Sequence, residues 1–63
     1  MYKVLIIEDE KPAAEWLRQL ITKFNPEIRV LAVIDSVRGA VEWFQQNLAP
    51  DLVFMDIQLA DGL

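Results

Sequence analysis

The chain has 63 residues, enough for one domain at most, and its 54% hydrophobic content supplies the material for a core. It contains neither cysteine nor histidine, which excludes disulfides, thiolate or imidazole metal sites, and Ser-His or Cys-His nucleophilic catalysis. A net charge of −4, with six basic residues scattered from Lys3 to Arg38, argues against nucleic-acid binding by this segment, since neutralising phosphates takes clustered Lys and Arg.

Residues 1–7 form a short, β-rich apolar run that ends abruptly in Glu8-Asp9-Glu10. A continuous rather than alternating run suggests a strand buried on both faces, as in a parallel sheet. From Lys11 the period changes, and Ala13, Trp16, Leu17, Leu20, Ile21 and Phe24 follow helical spacing. Asp9 or Glu10 is expected to cap this helix, and Pro12 suits its first turn, where no N–H donor is required. Asn25-Pro26 stops it.

A second strand is expected over residues 28–34. Asp35-Ser36 then offers another cap, and Val37, Ala40, Val41, Phe44 and Leu48 carry the stripe of a second helix. Gly39 costs that helix up to about 1 kcal/mol relative to alanine. After the break at residues 47–50, residues 51–57 read as a third strand, and Asp61-Gly62 marks a turn in the loop that follows. The order β-α-β-α-β implies an α/β fold with a parallel sheet and right-handed crossovers. If strands two and three flank strand one, the sheet is doubly wound and ligands belong at the carboxyl ends of its strands. The longest apolar runs are far too short to cross a bilayer, and the N-terminus does not resemble a signal peptide, so a cytoplasmic protein is expected.

Two strand ends carry carboxylates. Glu8 and Asp9 follow strand one, and Asp56 interrupts the apolar end of strand three. Adjacent parallel strands would gather all three acids at one edge. Acids at a helix start are often plain caps, and an isolated strand-end aspartate is more often structural than functional. Their joint position favours a site. Clustered carboxylates need a cation or protons to offset their repulsion. Oxygen-only ligands favour magnesium over zinc, with calcium left open. A phosphoryl group arriving at an aspartate would need such an ion, and aspartate is a known covalent nucleophile of this kind.

With these residues in view, the sequence resembles the receiver domain of bacterial two-component response regulators over its whole length. Lys3-Val4-Leu5-Ile6-Ile7-Glu8-Asp9-Glu10 resembles the family's opening strand and acidic pair, and Pro50-Asp51-Leu52-Val53-Phe54-Met55-Asp56-Ile57 its phosphoacceptor strand. The resemblance implies a truncated flavodoxin-like fold, with strand order 2-1-3 out of the family's 2-1-3-4-5. It implies that Asp56 accepts a phosphoryl group from a sensor histidine kinase. Magnesium would be held by Glu8, Asp9, Asp56 and the backbone carbonyl of Gln58. Where many receivers have proline four residues after the acceptor, this chain has Ala60, and Asp61-Gly62 comes early. That shorter version is similar to the LytTR class, whose members join a receiver to a C-terminal DNA-binding domain that regulates transcription.

The family's hydroxyl-bearing fourth strand and lysine-bearing fifth strand have no counterpart, so residues 1–63 are expected to be the N-terminal half of a receiver, cut by design or by proteolysis. Strand three would then be an exposed apolar edge, and self-association through it is expected. Trp16, Trp43 and Phe44 read as helix packing residues. The expected role is a phosphoacceptor module, not a turnover enzyme. A pseudo-receiver used only for binding or dimerisation is one alternative. Another is a haloacid-dehalogenase-like phosphohydrolase, against which Gln58 stands where that family carries a second aspartate. A nucleotide-binding fold is disfavoured by the lack of a glycine-rich loop after strand one.

Overall fold

The structure, a computed structural model, describes residues 2–55. Its centre is β1 (Lys3–Ile7), in which Val4, Leu5, Ile6 and Ile7 are all buried. An uninterrupted apolar run has this outcome because successive side chains of a strand point to opposite faces, so both faces of β1 must be covered. β2 (Arg29–Ile34) and β3 (Leu52–Met55) pair with it on either side, both parallel, giving the order β2-β1-β3. This is the expected α/β arrangement.

The alternation along β1 divides the core in two. Val4 and Ile6 pack with Ile21, Leu17, Ile28, Val30 and Phe54 beneath α1 (Lys11–Phe24). Leu5 and Ile7 pack with Ala40, Val37, Trp43, Ala32 and Ile34 beneath α2 (Val37–Gln46). The helices therefore lie on opposite faces, as a doubly wound sheet requires.

Local chemistry sets the ends. Ser36 caps α2, its Oγ accepting from the Gly39 N–H at 3.0 Å. Glu10 occupies the cap position of α1 but makes no side-chain cap bond, and Asp9 makes none in its place. That expectation is corrected: the Glu10 N–H is instead turned to Glu8 Oε2 at 3.2 Å, and a glutamate side chain is a poor fit to a role that short acceptors fill. Asn25 closes α1, its N–H donating to the Ile21 carbonyl at 3.0 Å and its Oδ1 accepting from Glu27 at 3.0 Å. β2 starts at Arg29 because the Ile28 N–H bonds back to Asn25. Leu48 lies past the end of α2, where Asn47 Nδ2 bonds the Trp43 carbonyl at 2.9 Å, and is solvent-exposed.

The helix stripes are only partly packed. Trp43 sits against the Leu5–Ile7–Ala40 cluster and meets Phe44 edge-on at 5.3 Å. Trp16, however, is 64% exposed and Phe24 86%, against the packing expected of the α1 stripe. Trp16, Leu20 and Phe24 are four residues apart and so share one flank of α1, whereas Leu17 and Ile21 pack on the Val4–Ile6 cluster and Ala14 is buried. Leu20 and Phe24 overlook an open groove of about 670 Å³ above β3, floored by Leu52 and Phe54.

Candidate functional site

At the carboxyl end of the sheet Ile7 stands opposite Ile34 on one side and Met55 on the other. The chain beyond each of these residues turns acidic: Glu8-Asp9 after β1, Asp35 after β2 and Asp56 after β3. Glu8 continues the ladder one step past β1, donating its N–H to the Ile34 carbonyl at 2.8 Å. Its carboxylate accepts the Glu10 N–H, which folds the acidic segment back towards the start of α1. Glu8 and Asp9 are half-buried there.

Two clefts meet at this end. One of about 380 Å³ is lined by Glu8, Lys11, Ala14, Glu15, Val33 and Asp35. The other, about 270 Å³, is lined by Ile7, Glu8, Leu17, Phe54 and Met55. Glu8 is common to both, so it borders the space between β1 and β2 as well as that between β1 and β3. Glu15 is engaged by its own helix: Arg18 Nε donates to it at 3.0 Å and Gln19 Nε2 at 3.2 Å. The Arg18 hydrogen bond holds the Glu15 carboxyl below its ordinary range, against the opposing effect of partial desolvation.

Of the residues expected to form the site, the structure therefore brings Glu8 and Asp9 to the strand-one end. Asp56 and Gln58, the other two, lie outside the described residues, as do Asp61 and Gly62. Among the described residues no group of three Asp, Glu, His or Cys side chains is arranged to hold a metal. Asp35, which the sequence offers only as a cap, and Lys11, which its motifs leave without a role, both line the cleft beside Glu8. The signal was present: each is within a few residues of a parallel strand's carboxyl end, the criterion that singled out Glu8.

Comparison with known proteins agrees with this geometry. The response regulator receiver domain family matches residues 4–63. The chain is 39% identical over 61 residues to the sensory transduction protein LytT of Bacillus anthracis, covering 97% of this chain and 24% of that protein. It is 41% identical over 58 residues to the LytT protein of Enterococcus faecalis, covering 92% and 23%. A protein-glutamate methylesterase/protein-glutamine glutaminase of Carboxydothermus hydrogenoformans is 40% identical over 63 residues, but only 17% of its length is covered. The chain thus spans about a quarter of the length of the LytT relatives. No solved structure matches it.

Proposed function

Because the chain belongs to the response regulator receiver domain family, we propose that it accepts a phosphoryl group from a sensor histidine kinase on Asp56, assisted by Mg²⁺. The observation that carries the proposal is the pairing of Ile7 with Met55 on two adjacent parallel strands, since Glu8 and Asp56 are the residues that follow them in sequence. Asp56 is the nucleophile. One of its carboxylate oxygens forms a bond to phosphorus as the bond from phosphorus to the kinase imidazole nitrogen breaks, and the departing imidazole takes a proton from solvent.

The donor set fits a hard cation. Glu8 and Asp9 offer half-buried carboxylate oxygens, and the chain has no nitrogen or sulfur donor of the kind zinc prefers. Glu8, Asp9, Asp56 and the Gln58 carbonyl are the residues that would hold Mg²⁺. When bound, Mg²⁺ supplies charge neutralisation for the phosphoryl oxygens and keeps the transfer in line. Glu8 is held for this by its backbone bond to Ile34, which ties the acidic segment to the sheet.

The chain acts as a phosphoacceptor and not as a turnover enzyme. Its likeness to LytT proteins supports a LytTR-class regulator, in which DNA contact belongs to a separate C-terminal domain and not to this acidic segment. No helix among the described residues is long and apolar enough to cross a membrane, and a cytoplasmic location is part of the proposal. So is self-association: β3 has no second neighbour among the described residues, and its open edge is a template for a second copy. A mass that rises with concentration in sedimentation is expected, and a concentration-independent monomer removes this part of the reading.

The test is intact mass after incubation with Mg²⁺ and a small phosphodonor, on the chain and on its Asp56→Asn variant. One phosphoryl adduct on the first and none on the second supports the proposal. If the full-length protein also stays unmodified, phosphoryl acceptance is wrong.

A further inference from the structure

We propose that Asp51, at the far end of β3 from the acidic site, is a positioning residue that sets the register of β3 on β1. Its functional meaning rests on phosphoryl acceptance at Asp56, whereas the register can be measured without it.

Asp51 and Lys3 exchange two hydrogen bonds. The Asp51 N–H donates to the Lys3 carbonyl at 2.8 Å, and the Lys3 N–H donates to Asp51 Oδ2 at 2.7 Å. In a parallel ladder a residue offers its C=O and its N–H to two residues, two apart, of the neighbouring strand. With the Lys3 carbonyl taken by the Asp51 N–H, the Asp51 carboxylate fills the place of the earlier carbonyl. Asp51 thereby ties the chain to β1 one residue ahead of the first pair of the ladder. From there Val4–Leu52, Leu5–Val53, Ile6–Phe54 and Ile7–Met55 follow without a break. The β1–β2 pairing, by contrast, shifts between Val4 and Leu5.

The two strands make a ruler. Glu8 lies five residues beyond Lys3, and Asp56 lies five residues beyond Asp51. Clamping Lys3 to Asp51 brings the ends of two equal segments level, provided the register holds.

Side-chain packing does little to hold it. Register is normally specified because a one-residue slip turns apolar side chains out to water. β3 is apolar on both faces, with Leu52 and Phe54 on one and Val53 and Met55 on the other. Leu52, Val53 and Met55 are also exposed, so a slip exchanges one half-covered apolar residue for another. A two-residue slip keeps the faces and displaces the strand end by roughly 6.6 Å. Misplacement of a reacting group by as little as about 1 Å can cost two orders of magnitude in rate. The clamp opposes every slip, because a side chain as short as aspartate reaches only the N–H directly across from it.

The experiment compares Asp51→Ala, Asp51→Asn and Asp51→Ser with the unmodified full-length protein. Two quantities are read. One is the cross-strand NMR contacts between Leu5 and Val53 and between Ile7 and Met55. The other is the phosphorylation rate per folded molecule with Mg²⁺ and a small phosphodonor. Asn keeps an acceptor oxygen at the same reach and is expected to keep one register and a near-normal rate. Ala is expected to lose or split the cross-strand contacts and to slow phosphorylation at least about tenfold, beyond any change in folded fraction. Should Ala fail to fold, Ser, whose hydroxyl reaches less far, is read in its place against Asn. The proposal is overturned if the acceptor-less variant keeps the same single set of contacts. Equal losses in Asn and Ala would overturn it too. If the unmodified protein takes up no phosphoryl group, the function reading falls while the NMR contacts still decide the role of Asp51.

Discussion

Ile7 and Met55 face each other as the last pair, among the described residues, of two adjacent parallel strands. Directly after these two residues the sequence runs into Glu8-Asp9, both half-buried, on one side and Asp56 on the other. An ion held there is expected to depend on them individually. At a fixed Mg²⁺ concentration Asp9→Asn should lower the phosphorylation rate at least about tenfold, with partial recovery as Mg²⁺ is raised. Glu8→Gln should shift the Mg²⁺ requirement in the same direction, and a chelator should stop the reaction in every variant. Time courses of intact mass across a Mg²⁺ titration read all three. An unchanged Mg²⁺ dependence in both variants would remove these residues from the site.

The core makes a sharper demand on stability than the helix surface does. Leu5 and Ile6 are fully buried on opposite faces of the central strand. Leu5→Ala or Ile6→Ala is expected to cost about 2–5 kcal/mol. That is a large share of the stability of any domain this size, so a substantial unfolded population should result. Trp16→Ala removes a larger side chain from a position that is mostly in water, and should change stability by no more than about 0.5 kcal/mol. Urea unfolding followed by circular dichroism separates the two. A Trp16→Ala loss as large as that of Leu5→Ala would mean that the outer flank of α1 is covered.

A pH effect is expected at Glu15. Hydrogen bonding from Arg18 lowers its carboxyl pKa, desolvation opposes this, and Gln19 and the Arg18 charge add to the lowering. A carboxyl whose folded pKa lies below its unfolded value contributes stability that is complete above the unfolded value and is lost as pH falls through the folded one. The window therefore lies on the acid side of the ordinary glutamate range. Both side chains are about half exposed, so salt should weaken the pairing. Carbon NMR titration of the Glu15 carboxyl should give a midpoint below that of an unpaired glutamate, and Arg18→Gln should move it back up. A midpoint unmoved by that substitution would show that the pairing does not act in solution.

Much of this was legible in sequence because the relevant signals are local. The run from Val4 to Ile7 is apolar at every position, and only a strand covered on both faces needs that. Ser36 is a short acceptor just before a periodic stretch, and it caps as such residues do. What escaped was set by distant chain. Helical periodicity puts Trp16 and Phe24 on one stripe, but it does not encode whether anything covers that flank, and both are exposed. The Asp51–Lys3 clamp joins residues 48 positions apart, and Asp51 reads locally only as the first residue of the third strand after Pro50. Asp35 hid behind its neighbour, because a cap was reason enough for an acid there.

Gly39 shows how a local penalty is overruled by packing. In isolation, replacing it with alanine should favour α2 by up to about 1 kcal/mol. Yet a Cβ at this position would stand 2.9 Å from Ile34 Cγ2 and 3.1 Å from Ser36 Oγ. The first contact is shorter than two carbons tolerate, and Ile34 cannot swing away freely because its branched side chain packs on the Leu5–Ile7–Ala40 cluster. The second crowds the hydroxyl that accepts the Gly39 N–H. Overpacking of this kind costs about 1–3 kcal/mol, more than the helix gains. Gly39→Ala should therefore be destabilised by about 1 kcal/mol net, close to the loss expected for Ser36→Ala, which removes the cap outright. The two losses should not add, since a displaced Ser36 hydroxyl has already surrendered part of its bond. Thermal and urea unfolding of the two single variants and the double variant test the pair. A Gly39→Ala chain more stable than the original would show that α2 stands farther from β2 than the 2.9 Å approach requires.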